Sequence, residues 1–148
     1  MEDNEKYMRE ALREAQAASE EDEVPVGAVV VCRGRIIARG HNMTERLHDP
    51  TAHAEMIALT AATETMGGKY LNDCTLYVTV EPCPMCAGGI VLARVATVVW
   101  GVSDPKRGGG TTFGIFGHPG INHHPEIVTG VCEAASKAIL QDFFRTRR

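Results

Sequence analysis

Two short stretches restrict the fold of this chain more than any other feature: His53-Ala54-Glu55, and Pro82-Cys83-Pro84-Met85-Cys86 thirty residues later. Together they read H-x-E … P-C-x-x-C. They supply an imidazole, a carboxylate and two thiols. Three soft ligands suit a zinc ion, and a site with three protein ligands keeps its fourth position open for water. Glu55 is then free to move protons. A fold that serves these residues must bring both stretches under one pocket.

The intervening sequence shows how that can happen. Residues 3–19 predict a first helix, because Tyr7, Met8, Ala11, Leu12, Ala15 and Ala18 recur at three- and four-residue spacing. The β-branched run up to Cys32, a turn at Arg33-Gly34 and the run 35–40 predict a hairpin over 26–41. A polar loop is expected from His41 to Pro50. A second helix is expected from Thr51 or Ala52, with Thr51 as N-cap, to a stop at Gly67-Gly68. Residues 75–80 predict a third strand, and Cys83-Pro84 opens a helix to about Arg94, with proline favoured at the first helical position. Residues 96–101 predict a fourth strand and 126–129 a short fifth. Between them, 102–125 reads as a long glycine- and proline-rich loop, of the kind that is functional or mobile. The last helix is expected over 131–147, with Cys132, Ala135, Ile139, Leu140 and Phe143 or Phe144 inward. Alternating strands and helices imply a helix-flanked sheet, and the hairpin makes it mixed rather than purely parallel. No repeat or linker divides the chain, so a single domain over 1–148 is expected.

Composition narrows the class. With 44% hydrophobic and 23% charged residues, the chain is of ordinary globular type. No apolar run approaches the roughly 18–20 residues of a membrane span. The acidic N-terminus, Met1-Glu2-Asp3-Asn4-Glu5, is not a secretion signal, and the cytoplasm is the expected location. Five cysteines, two of them in C-x-x-C, point to metal or redox chemistry rather than disulfides. Cys32, Cys74 and Cys132 sit in apolar runs as small hydrophobes. The net charge of −4 argues against nucleic acid, but it is uneven: residues 1–25 hold nine acids against three bases, and the chain ends Arg145-Thr146-Arg147-Arg148. Those arginines suit either phosphate or the helix dipole.

The residues dictate the chemistry. Cys83 and Cys86, at i and i+3, share a helix face, and the first turn of a helix favours thiolate over thiol. His53 and Glu55, at i and i+2, can both reach a pocket only if it lies over the helix start. A metal held there lowers the pKa of bound water, and Glu55 can take and return the proton. Such a site can replace the amine of an aromatic ring carbon by hydrolysis. Two other readings stay open: a structural zinc staple closed by His41, His48 or a residue of 118–124, and a thioredoxin-like use of C-x-x-C.

With those motifs in view, the chain resembles the cytidine and deoxycytidylate deaminase superfamily, whose established signature they form. Within it, the chain is similar to the deaminases that edit adenosine in bacterial tRNA. The likeness runs through Val24-Pro25-Val26-Gly27-Ala28, Asn42, 48–55, 75–88, His118-Pro119-Gly120-Ile121-Asn122-His123 and 142–148. It implies a three-layer α/β/α fold with a five-stranded mixed sheet, and a homodimer with one Zn2+ per subunit. It implies that His53, Cys83 and Cys86 bind the zinc and that Glu55 shuttles protons. It implies conversion of adenosine to inosine at the wobble position of a tRNA anticodon. On the same likeness Asn42 contacts the flipped nucleoside, Asp104 the neighbouring backbone, and Val26, Ala54, Arg145 and Arg147 further parts of the substrate. Residues 105–117 are more glycine-rich than the family pattern. A deaminase of free guanine or cytosine is the alternative, and a zinc-stabilised binding module is a third reading.

Overall fold

The computed structural model describes residues 2–147. In chain order the elements are α1 (Glu2–Glu20), β1 (Gly27–Cys32), β2 (Arg35–His41), α2 (Thr44–Leu47), α3 (Ala54–Met66), β3 (Cys74–Val80), α4 (Pro84–Leu92), β4 (Thr97–Val102), β5 (Glu126–Val128) and α5 (Glu133–Thr146). The five strands form one mixed sheet in the order β2-β1-β3-β4-β5. β1 runs antiparallel to both its neighbours, whereas β3, β4 and β5 are parallel.

The side-chain period of two sorts the strands into two cores. Ala28, Val30, Leu76, Val78, Val98 and Trp100 point to one face, where Ala58, Leu59, Ala87 and Ile90 of α3 and α4 cover them. Val29, Val31, Tyr77 and Val99 point to the other, against Tyr7, Met8 and Ala11 of α1. α5 packs beside α1 on that second face. The expected α/β/α layering of a five-stranded mixed sheet is therefore observed. The hairpin turns at Arg33-Gly34, both at positive φ (53° and 76°), the pairing of dihedrals that matches strand twist in a two-residue loop.

Two boundaries and one helix face differ from expectation. The stretch 41–50 is not all loop, because α2 forms within it. The fully buried Glu23 supplies its cap from afar, accepting hydrogen bonds from the Glu45 and Arg46 amides at 3.0 and 2.7 Å. α3 starts at Ala54 rather than at Thr51 or Ala52. Thr51 is not the N-cap, since its amide and hydroxyl both donate to Asp49 Oδ1, at 2.8 and 2.7 Å, and close a turn instead. His53 takes the cap position in extended conformation, φ −80° and ψ 152°. In α5 the inward stripe follows Ser136, Ile139, Leu140 and Phe143, so Ala135 and Phe144 are exposed. Cys32 and Cys74 are buried as expected, and Cys132 is half-buried at the α5 N-cap.

The long loop after β4 is anchored at two points. Phe116 is buried against Trp100, and His123 Nε2 lies 2.6 Å from the Val95 carbonyl. Among the described residues no helix is long and apolar enough to cross a membrane.

Candidate metal and catalytic site

Because β2 and β3 both run antiparallel to β1, they point the same way. Their C-terminal ends lie at one edge of the sheet, where open α/β sheets place ligands. α3 follows β2 through α2, and α4 follows β3 directly. Both helix starts are therefore delivered to that edge, with His53 capping α3 and Cys83 capping α4. Strand direction explains the convergence that spacing alone cannot.

His53 Nδ1 lies 3.5 Å from Cys83 Sγ and 3.5 Å from Cys86 Sγ. All three donor atoms fall within 4.8 Å of one another, and among the described residues this is the one such cluster of three His, Cys, Asp or Glu donors. A tetrahedron with bonds of about 2.3 Å to sulfur and 2.0–2.1 Å to nitrogen has a sulfur–nitrogen edge of about 3.6 Å. The donor set fits zinc in chemistry and in spacing. Among the described residues no other histidine joins this cluster, and four of the other five, His123 among them, make contacts elsewhere. His41 bridges Glu14 and Glu21, each at 3.2 Å, His118 Nδ1 accepts from the Gly120 amide, and His124 meets the Phe116 carbonyl. The expected fourth ligand of a closed structural site is therefore not among the residues that converge.

The electrostatics of the three groups are unequal. A hydrogen bond from Cys86, reinforced by His53, holds the Cys83 thiol down at about 4. The same bond, together with burial, pushes Cys86 up. The Cys83 thiol raises the pKa of His53 against the opposing effect of burial. Burial lifts the Glu55 carboxyl to about 7, opposed by its own helix amide and by His53. The i, i+2 geometry is resolved by the cap. His53 stands outside the helix in extended conformation, and Glu55 projects from the first turn beside it.

A cavity of about 450 Å³ opens above the cluster. Val26, Asn42, His53, Ala54, Glu55, Cys83 and Asp104 all line it, while Cys86 lies buried beneath. Asn42 is 7% exposed, and its side-chain amide makes no hydrogen bond among the described residues. Asp104 accepts the Lys106 and Arg107 amides at 2.9 and 3.0 Å, which folds its loop over the rim.

Arg145 and Arg147 do not line the cavity. Arg147 donates to Asp22 at 2.6 Å and to the Ser19 carbonyl at 3.3 Å, and its guanidinium stacks on Phe143. Arg145 pairs with Asp142 on its own helix and lines a shallow groove with Leu140 and Phe144. Arg148 lies outside the described residues. The cavity gains residues that pattern reading passed over: Thr44, Glu81, Arg107, Leu140 and Phe144. Glu81 carried a signal, a carboxylate closing an apolar strand directly before Pro82-Cys83. Leu140 and Phe144 carried none beyond helix periodicity.

A three-donor metal cluster at the carboxyl edge of an α/β/α sheet, with a buried carboxylate beside it, defines a zinc-dependent hydrolase. Residues 1–102 match the family model described as the cytidine and deoxycytidylate deaminase zinc-binding region, and the chain belongs to that family. It is 48% identical over 149 aligned positions to the tRNA-specific adenosine deaminase of Bacillus subtilis (strain 168), spanning 100% of this chain and 92% of that protein. It is 46% identical to the Agrobacterium fabrum protein of the same name, spanning 96% and 94%. A solved structure from work on A-to-I editing by tRNA:A34 deaminases superimposes with a TM-score of 0.88 at 44% identity, over 90% of this chain and 98% of that one.

Proposed function

We propose that this chain converts adenosine to inosine by zinc-dependent hydrolysis at the wobble position of tRNA anticodons. The observation that carries the reading is end-to-end identity of 48% with a tRNA-specific adenosine deaminase, joined to an open three-donor cluster beside a buried carboxylate.

His53, Cys83 and Cys86 would hold the ion. Zinc bound there would supply a water of lowered pKa. The chain's own groups do the rest. Glu55, 3% exposed, accepts the proton that water loses and returns it to a ring nitrogen of the base. It then carries a second proton to the leaving amine, so that water adds, ammonia departs and the purine keeps a carbonyl. A carboxyl lifted to about 7 can hold and release a proton near neutral pH. The free Asn42 amide suits the polar edge of the flipped nucleoside, and the Val26 side packs its apolar surface. Ala54, at the start of α3, offers a backbone amide where charge develops. The base must leave its stack to enter, as RNA recognition in loops permits.

We further infer a homodimer, a single catalytic domain over 1–148 and a cytoplasmic location. The dimer has support in α4, Pro-Met-Cys-Ala-Gly-Gly-Ile-Val-Leu, which carries no charged side chain and leaves Met85 and Leu92 exposed, Leu92 by 78%. An apolar helix face of this kind calls for a partner.

The test is turnover on an anticodon stem-loop with a wobble adenosine, beside free adenosine, cytidine and guanine. Inosine in the stem-loop is the expected result. Turnover confined to the free compounds overturns the tRNA reading.

A further inference from the structure

Glu81 follows β3 and precedes Cys83 by two residues, yet the chemistry above does not use it. It is 4% exposed. Among the described residues no cation forms an ion pair with it. Its charge is met instead by four donors, all from one loop. Oε1 accepts the Asp104 amide at 2.8 Å and the Thr111 hydroxyl at 2.8 Å. Oε2 accepts the Gly110 amide at 3.0 Å and the Thr111 amide at 2.6 Å.

Two further observations show that the loop is seated on this carboxylate. The Gly109 amide donates to the Pro82 carbonyl at 2.7 Å. A Cβ added at Gly108 would lie 2.4 Å from Glu81 Cδ and 2.5 Å from the Asp104 carbonyl oxygen. The glycine-rich sequence here is what close approach to a buried carboxylate requires. A carboxylate offers about four lone-pair sites, and all four are used. Glu81 therefore has no acceptor left for a ligand, although it lines the cavity. What it holds does face the ligand: Asp104 and Arg107 form the cavity rim.

We propose that Glu81 is a positioning residue for substrate, clamping loop 104–111 so that Asp104 and Arg107 meet the nucleotide chain beside the reacting base. The proposal rests on the tRNA reading for the identity of the substrate, though not for the clamp itself. Charge-assisted bonds to one anion give the loop a single seat, and with it a rim of defined shape. Among the described residues the side chains of His53, Cys83 and Cys86 make no hydrogen bond with Glu81 or with the loop it holds.

The experiment compares zinc-loaded wild type with Glu81→Gln on the wobble-adenosine stem-loop. Loss of the anionic acceptor is expected to raise KM about tenfold while kcat stays within about threefold and bound zinc is unchanged. Amide exchange at Asp104, Gly110 and Thr111 should quicken. Unchanged KM, or a loss carried by kcat alone, overturns the proposal, even if the melting temperature falls. Should Glu81→Gln fail to fold, Thr111→Val removes only the hydroxyl bond and is expected to raise KM about threefold at constant kcat; no rise in KM overturns the proposal. If wild type itself leaves the stem-loop unedited, the tRNA reading fails separately. Exchange in 104–111 then decides the clamp, and equal rates in wild type and Glu81→Gln refute it.

Discussion

In the role proposed for it, Glu55 has two tasks that conflict. Catalysis needs a carboxyl that cycles its proton near neutrality, and burial provides one by lifting its pKa from 4.5 to about 7. Glu55→Gln is expected to reduce kcat by roughly 10²–10⁴-fold with zinc retained, read by turnover and metal analysis on the same sample. The stability consequence has a definite sign. Below about pH 4.5 folded and unfolded chains both hold the proton, and the site costs nothing. Between about pH 4.5 and 7 the unfolded chain releases the proton that the folded chain still holds, so stability falls through that window and levels off above it. Metal-free Glu55→Gln should therefore exceed metal-free wild type in stability at pH 8 by up to about 3 kcal/mol, and match it near pH 4. Thermal melts at the two pH values measure this, and a more stable wild type at pH 8 would contradict it. The cysteines give an independent check on the same site. Chelation bares Cys83, which is thiolate well below neutrality, whereas burial pushes Cys74 up to about 12. Iodoacetamide at pH 6 should label Cys83 in chelated protein, spare it with zinc bound, and leave Cys74 untouched in both, as peptide mass spectrometry reports.

At the scale of elements, what is legible in the sequence is what depends on neighbours in the chain. β1 declares itself because Ala28, Val30 and Cys32 serve one core and Val29 and Val31 the other, leaving no polar position. The α4 start is legible because proline follows the cap. The α2 turn is not, because its cap comes from Glu23, 22 residues before the Glu45 amide it accepts. Nor is the α3 start, because Asp49 captures Thr51 and leaves His53 as cap. That displacement matters, since it frees the imidazole to swing toward α4. The same limit hides what Glu81 holds, because its donors lie 23 to 30 residues away. The ligand triplet is legible from spacing, while Asn42 and Asp104 are reached only through family likeness. Glu23 is testable on its own terms. Glu23→Gln keeps the shape, loses the anion and places an amide group against backbone donors. It is expected to cost about 1–3 kcal/mol, seen as a lower denaturation midpoint at unchanged m.

At the scale of the whole molecule, the question is how a chain of net charge −4 holds an RNA. The surplus of acid lies in α1 and the segment after it, and much of it is internally matched: Glu10 and Glu14 pair with Arg39, Glu21 with Arg46, and Asp22 with Arg147. Arg147 is drawn into that matching, and Arg145 pairs with Asp142 on its own helix. Arg147 closes the end of α5 onto the end of α1, a structural contact with Asp22 that is 82% exposed and worth no more than about 1 kcal/mol. Lys106 and Arg107 are different. They sit on the rim loop, and among the described residues neither enters an ion pair. Arg107 lines the cavity itself. Each phosphate neutralised by protein adds about one to the slope of log affinity against log salt. Arg107→Ala should therefore weaken stem-loop binding and flatten that slope by about one, whereas Arg147→Ala should leave the slope unchanged while lowering the melting temperature slightly. The reverse pattern would mean that RNA pulls Arg147 away from Asp22, and that the acidic end of α1 competes with the substrate for it.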